Sequence, residues 1–221
     1  MRFQDAARDA RAVVYAGIQA DPLVARVAGL LADATTGELW LARAVMNGER
    51  TDPERWRRIF PSLFGPSAPV EVRGRAERIL VAGLEVANRG EQARSSYRGA
   101  VVEELTARLL ARRSAPVRRE RRVLFDGVPA EIHPYDVTVE SDEAEVYDCK
   151  WGARGINSDV LNQLDDARTH AAEEEATLSV AIVVFDARRS CDLRLARSTA
   201  RHDDTGLVAL EAFDSLGKGR R

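Results

Sequence analysis

The segment LSVAIVVFD, residues 178 to 186, constrains the fold of this chain more than any other stretch. It is an almost continuous apolar run with the length of one strand, which is typical of a central strand covered on both faces. A strand of this kind needs helices packed against its sheet. The segment therefore predicts a layered α/β domain.

The first ninety residues predict helices, because Ala, Leu, Val and Arg dominate and strand-like alternation is scarce. Asp21-Pro22 and Asp52-Pro53 each match a helix N-cap followed by the first helical residue. PSLFGPSAP, residues 61–69, is expected to be a loop. The expected helices are about 4–19, 22–47 with a break near Thr35-Thr36-Gly37, 53–59, 73–88 and 92–113.

The pattern changes to strands after residue 116. RRVLF is expected to be a strand, followed by an Asp126-Gly127 turn and a short return strand. Further strands are expected at 135–140, 145–151 and 178–186, and later at CDLRLAR and GLVALEAF. Between the strands 145–151 and 178–186 we expect a helix that is capped by Asn157 or Ser158 and has an apolar face formed by Val160, Leu161, Leu164, Ala167 and Ala171. This order predicts a helical region over 1–90, an α/β domain over 91–216 and a loose tail over 217–221.

Composition and charge argue against several classes of protein. The 221 residues carry a net charge of -2, so the net charge gives no reason to expect a general attraction for nucleic acid. No apolar run approaches the ~18 residues of a membrane span, and we expect no signal peptide, because the segment MRFQDAARDARAVVYAG has acids among its charges and lacks a clear apolar region. Two cysteines are too few for a disulfide framework. We expect a soluble, cytoplasmic protein with no membrane partner.

The charges are distributed unevenly. Seven arginines lie between Arg108 and Arg122 against the single acid Glu120, whereas acids dominate from 126 to 175. A basic stripe beside an acidic pocket is compatible with a polyanion bound near a metal ion, and a solvated connecting segment is the alternative explanation. Under the first interpretation, the candidate phosphate-binding residues are Arg112, Arg113, Arg118, Arg119 and Arg154.

The most informative charges lie in YDVTVESDEAEVYDCKWG, residues 135–152, which predicts two strands and a turn. If these strands pair around the turn, Asp136 lies near Asp148, and Lys150 projects from the same side of its strand as Asp148. Two adjacent carboxylates repel each other, and a divalent cation relieves that repulsion. A lysine there can position or deprotonate a water and stabilise a phosphate. The alternative is a solvated sheet face with an ion pair worth ~0–1 kcal/mol.

The strand motif resembles that of the PD-(D/E)XK nuclease superfamily, with a layout similar to that of archaeal Holliday-junction resolvases. Asp136 followed twelve residues later by Asp148-x-Lys150 matches its signature. HPYD stands in place of the common PD, and Asp148 stands where Glu is more usual. Neither departure removes a metal ligand.

A helix on each side of the strands adds to the resemblance. YRGAVVEELTARLL, residues 97–110, is similar to the family's first helix, in which a glycine precedes a metal-site glutamate by four residues. On that register the glutamate is Glu103, with Glu104 as the alternative. Gln163 matches a glutamine that the family often carries on the following helix. The resemblance covers about residues 95 to 190.

The resemblance implies a restriction-endonuclease-like α-β-β-β-α-β core with a mixed central sheet. It implies Mg²⁺ or Mn²⁺ held by Asp136, Asp148, the backbone carbonyl of Cys149 and Glu103, with Lys150 orienting or activating the attacking water. The implied activity is hydrolysis of phosphodiester bonds, with DNA endonuclease the first expectation, in restriction, repair or defence. It also favours a homodimer, and the helical region 1–90 is a candidate surface for dimerisation, DNA or a partner protein.

Two other functions stay open at this point. One is a catalytically inactive nuclease-like fold that binds nucleic acid or serves in assembly, and the other is an RNA-directed nuclease. For individual residues, too, simpler interpretations remain. Gln163 is equally well explained as a solvated side chain. His133 could contact phosphate or metal, but an exposed or structural role explains it better. Trp151 could stack on a base, but a packing role explains it better.

Overall fold

The structure is a computed structural model that describes residues 1–6, 10–48, 52–129 and 133–218. The chain divides into two compact units. The helical unit is Ala10–Leu105, and the sheet unit comprises the described residues of Met1–Asp9 and Thr106–Arg221. Within the described ranges, no helix combines the length and apolarity needed to cross a membrane.

The helices follow one another with short connections. Their bounds are α1 Ala10–Gln19, α2 Pro22–Ala32, α3 Thr36–Asn47, α4 Pro53–Ile59, α5 Pro61–Phe64, α6 Val70–Ala87 and α7 Glu91–Ala111. Asp21 and Asp52 cap α2 and α4 as predicted. The predicted break is confirmed, because Thr35 and Glu38 form a reciprocal capping box that begins α3. The segment 61–69 was expected to be a loop, but it begins with α5, because Pro61 suits the first position of a helix.

The helical unit has its own core, formed where α6 packs against α2 and α3. One acid is completely buried in it. Burial alone would raise the pKa of Glu38, but the hydrogen bonds from Arg75 at 2.7 Å and from Thr35 outweigh burial and lower that pKa. The fully buried apolar residues of this unit include Val24, Ala28, Leu41, Val45, Met46, Leu80 and Val86.

The sheet unit contains a mixed, open sheet of seven strands within the described residues, which confirms the α/β class. The strands are β1 Arg2–Asp5, β2 Val117–Phe125, β3 Val128–Pro129, β4 Tyr135–Val139, β5 Ala144–Lys150, β6 Leu178–Val184 and β7 Gly206–Ala209. The order is β1-β2-β4-β5-β6-β7, with β3 paired to β2. Pairing is antiparallel from β1 through β5 and parallel from β5 through β7.

Two helices connect the parallel strands, α8 Ser158–Glu173 and α9 Arg188–Leu195. Asn157 caps α8 by accepting the Val160 N–H at 3.0 Å, as the sequence predicted. The predicted apolar face of α8 packs on the sheet. Leu161, Leu164, Ala167 and Ala171 are buried in one core cluster with Val146, Val180, Ile182 and Val184.

Three predictions for the ends of the chain were wrong. Residues 2–5 are an edge strand paired with 121–124 of β2, whereas a helix from residue 4 was expected. CDLRLAR was expected to be a strand, but α9 occupies 188–195. Its helical form is supported by the Arg188–Asp192 ion pair at 2.8 Å, one turn apart. β7 ends at Ala209, and a 3₁₀ helix over 210–217 replaces the rest of the predicted strand.

The turn after β2 was predicted correctly. Asp126 and Gly127 have φ angles of 48° and 80°, as a tight hairpin turn between twisted strands requires. The return strand β3 is two residues long, and residues 130–132 of the predicted return strand lie outside the described ranges.

Candidate active site

The β4–β5 hairpin brings two acids together. Val137 pairs with Tyr147 and Thr138 with Val146, which confirms the predicted register and places Asp136 opposite Asp148. Asp136 reaches across the hairpin, where its Oδ2 accepts the backbone N–H of Cys149 at 2.6 Å. The carboxylate of Asp136 therefore lies against the β5 backbone at the residue between Asp148 and Lys150.

Asp148 and Lys150 form an ion pair through Oδ1 and Nζ. The Asp148 side chain is 13% exposed and that of Lys150 is 26% exposed. Asp148 Oδ1, the oxygen that faces the Lys150 ammonium, is fully buried. Because side chains alternate along a strand, Asp148 and Lys150 lie on the same face of β5 as Ala144 and Val146, which are buried in the core. The ion pair therefore lies at the end of an apolar face.

The environment of Lys150 keeps it charged. Burial alone would lower the pKa of Lys150, but the carboxylates of Asp148 and Asp136 outweigh burial and raise that pKa above its ordinary value. At neutral pH the side chain is therefore an ammonium ion. In this arrangement Lys150 is a cation and a hydrogen-bond donor to Asp148.

The site lies where parallel strands end. Lys150 is the last residue of β5, and its carbonyl accepts the Phe185 N–H at 2.9 Å. In open α/β sheets, ligands bind beyond the carboxyl ends of the strands. Trp151, next along the chain, packs against Phe185 with ring centroids 5.0 Å apart. Trp151 therefore has a packing contact, and base stacking stays a prediction.

The loop after β5 is held by residues that the sequence analysis missed. Asp186, just beyond β6, accepts the Ala153 N–H through Oδ2 at 3.0 Å and the Ala187 N–H through Oδ1 at 2.8 Å. Gly155 packs against the Lys150 stem so closely that a Cβ there would lie 2.8 Å from Lys150 Cδ. The sequence signal that could have identified Asp186 is its position directly after the apolar run of β6.

Glu103 lies in the helical unit. It is buried, and its carboxylate accepts hydrogen bonds from Tyr15 Oη and, at 2.8 Å, from Gln19 Nε2. Glu104 is half-buried. The two aspartates belong to the sheet unit, and the assignment of Glu103 or Glu104 as a metal ligand stays a prediction.

Gln163 lies beside the start of β4. Its Nε2 donates to the His133 carbonyl at 3.0 Å, and its own carbonyl accepts from Tyr135 Oη at 3.4 Å. The structure therefore brings Gln163 to the segment that leads into Asp136. The side chain of His133 itself is exposed. A role for Gln163 in the reaction stays a prediction.

The five candidate arginines separate into two groups. Arg113 is only 13% exposed, and it pairs with buried Glu145 and donates to Tyr147 Oη at 3.4 Å. The hydrogen bond with Glu145 raises the pKa of Arg113. Its guanidinium is thus engaged inside the sheet unit. The exposed candidates are Arg112, Arg118, Arg119 and Arg154.

The residues on β4 and β5 fit a divalent cation in part. Within the described ranges, no three His, Cys, Asp or Glu side chains form a metal-binding group. Asp136 and Asp148 offer the hard carboxylate oxygens that Mg²⁺ prefers, and Asp148 Oδ1 is already paired with the Lys150 ammonium. The backbone carbonyl of Cys149 points toward β4, as does the Cys149 N–H that donates to Asp136. Mg²⁺ keeps several waters, so two carboxylates and a carbonyl are a sufficient protein contribution.

Comparisons of the chain with protein-family models, with curated proteins and with solved structures find no significant match.

Proposed function

We propose that this chain is a metal-dependent nuclease that hydrolyses phosphodiester bonds in DNA. The observation that carries the proposal is the meeting of Asp136, Asp148 and Lys150 at the carboxyl end of β5. Removing charged groups from water costs free energy that apolar residues at the same positions would not cost. Clustered, partly buried charges in this position are a common mark of an active site.

The order of elements supports the same proposal. Helix α7 is followed by β2, β4 and β5 in antiparallel pairing, then by α8 and by β6 parallel to β5. Apart from the two-residue strand β3, this order is compatible with the α-β-β-β-α-β core that the resemblance to PD-(D/E)XK nucleases implies, and that compatibility supports the proposal.

Each residue has a distinct role in the proposed mechanism. Asp136, Asp148 and the Cys149 carbonyl would hold Mg²⁺ or Mn²⁺. The cation would stabilise negative charge on the phosphate and lower the pKa of a bound water. Lys150 is charged, so it stabilises the additional negative charge that develops on the phosphate in the transition state and orients the attacking water.

DNA binding in this proposal comes from local and not from overall charge, because the net charge is only -2. Each arginine that neutralises a phosphate makes binding more sensitive to salt. The arginines proposed to contact phosphates are Arg112, Arg118, Arg119 and Arg154.

A cleavage assay tests the proposal. Supercoiled plasmid, linear duplex, single-stranded DNA and RNA are incubated in Mg²⁺, Mn²⁺ or EDTA with the wild-type protein and with Lys150→Ala and Asp148→Ala. Lys218→Ala is a matched control, since the chain has only two lysines and Lys218 is 73% exposed. We expect metal-dependent DNA cleavage in the wild type and the control, and a loss of about 100-fold or more in the two site variants.

Three other outcomes lead to different conclusions. Full activity in Lys150→Ala or Asp148→Ala would refute the assignment of the site. Cleavage of RNA alone would replace the proposed substrate. Metal binding that depends on Asp148, measured by calorimetry, without cleavage of any substrate would favour a module that binds nucleic acid without catalysis.

A further inference from the structure

Asp186 connects three segments at the carboxyl edge of the sheet, two through its carboxylate and one through its backbone carbonyl. It accepts the N–H of Ala153 in the loop after β5 and the N–H of Ala187 before α9. Its backbone carbonyl accepts the N–H of Leu210, just after β7, at 3.0 Å. Asp186 is therefore fixed by three hydrogen bonds, and the one from Ala153 connects it to the loop beside the proposed site.

That loop forms one tight turn against Lys150. Gly155 donates its N–H to the Gly152 carbonyl at 2.9 Å, which closes a 3₁₀ turn over Ala153–Gly155. A Cβ on Gly155 would lie 2.8, 2.9 and 3.0 Å from Cδ, Cγ and Cβ of Lys150. The backbone at Gly155 thus lies close along Cβ, Cγ and Cδ of Lys150, and the Cβ at the base of the side chain cannot move aside easily.

A second contact fixes the far end of the turn. Arg194 of α9 donates through Nε to the Ile156 carbonyl at 2.8 Å. The turn is consequently held at Ala153 by Asp186 and at Ile156 by Arg194. Its position, and with it the contact of Gly155 with Lys150, is set by the elements that follow β6.

We propose that Asp186 and Gly155 are positioning residues for Lys150, which they direct toward the phosphate. This inference rests on the proposed nuclease function. A lysine has many rotamers, and the turn restricts those of the Lys150 stem while the ion pair with Asp148 holds its ammonium. Since a misplacement of about 1 Å can cost about 100-fold in rate, a fixed stem matters for catalysis.

The two-lysine composition gives a direct test that does not depend on activity. In protein labelled with ¹³C-lysine, NMR reports one Cε signal from Lys150 and one from Lys218. In the wild type, we expect two inequivalent Hε signals for Lys150, because its side chain is held. In Asp186→Ala and Gly155→Ala these signals should merge or move, while Lys218 stays unchanged. Gly90→Ala is the control, since a Cβ at Gly90 meets nothing within 4 Å.

Kinetics then separate positioning from general damage to the structure. Asp186→Ala should lower kcat by about 10- to 100-fold, with the KM for DNA and the calorimetric metal affinity nearly unchanged. In the Lys150→Ala background the same change should have no further effect. Asp186→Asn keeps one acceptor oxygen, so its kcat should fall between those of the wild type and Asp186→Ala.

Several results would overturn the inference. The inference is wrong if the Lys150 NMR signals stay unchanged in folded Asp186→Ala and Gly155→Ala. It is also wrong if Asp186→Ala lowers kcat equally in the wild-type and the Lys150→Ala backgrounds. If Asp186→Ala fails to fold, Gly155→Ala decides the question. If the wild-type protein cleaves nothing, the nuclease proposal fails, and the NMR comparison separately accepts or rejects the positioning of Lys150.

Discussion

Replacing Lys150 by methionine should destabilise the protein in EDTA, because methionine keeps the length of the stem and removes only the charge. Asp148, 13% exposed, would then lose its ion-pair partner while Asp136 stays nearby. An ion pair at about 4 Å in an effective dielectric of 20 is worth about 4 kcal/mol. Because Lys150 is 26% exposed, solvent screening reduces this value. We expect a loss of about 1–3 kcal/mol in the free energy of unfolding.

The assay is urea unfolding in EDTA and in 10 mM Mg²⁺ or Mn²⁺. A cation with a Kd of about 1 mM would stabilise the native state by about 1.4 kcal/mol at that concentration. The effect should be larger in Lys150→Met than in the wild type, because no ammonium competes for Asp148. Asp148→Asn should abolish it, and Lys218→Met should change stability by less than about 0.5 kcal/mol. A Lys150→Met protein as stable in EDTA as the wild type would refute this reasoning.

The same comparison has a definite pH dependence. The pKa of Lys150 is raised in the folded state, so the stabilisation is complete below the unfolded pKa of about 10.4 and is lost as the pH rises through the folded value. The difference in stability between wild type and Lys150→Met should therefore be constant from pH 6 to 9 and shrink only above about pH 10.4. A difference that disappears between pH 7 and 9 would contradict the raised pKa.

Three further predictions concern stability. Arg113→Ala should cost about 3–5 kcal/mol in urea unfolding, because buried Glu145 loses its counter-charge, and adding Glu145→Gln should recover part of that loss. Thr35→Ala should lower stability by about 1 kcal/mol in thermal unfolding, since it removes the cap of α3. The hydrogen bond from Tyr97 lowers the pKa of Asp21, so the stabilisation it brings is present above about pH 4 and lost as the pH falls further. An NMR titration of Tyr97→Phe should show that pKa shifted upward.

The β4–β5 hairpin could be predicted from sequence because its information is local. A short turn fixes the register, and once the register is known, alternation tells which side chains share a side. The meeting of Asp136 and Asp148 follows from these two rules alone. The α8 face and its Asn157 cap were predictable for the same reason, since a cap and an apolar period lie within one segment.

The failures lie where a distant partner decides the structure. Residues 2–5 have little apolar character, and they form a strand only because β2 offers an edge for pairing. CDLRLAR alternates like a strand, yet only Cys191 of α9 is buried, so the alternating apolar residues do not line a buried sheet face. Arg113 was grouped with the exposed arginines because its burial beside Glu145 depends on tertiary packing that no local pattern records.

The basic residues of the chain bear on why a lysine stands at 150. Of the 33 basic residues, 31 are arginine, and the other lysine, Lys218, is exposed near the C-terminus. An arginine beside Asp148 would bind the carboxylate through two parallel hydrogen bonds from its planar guanidinium. A lysine presents a compact charge that holds the buried carboxylate and can turn to a phosphate when a cation takes its place. The requirement at this position is therefore a compact positive charge on a held stem, and positive charge alone would not meet it.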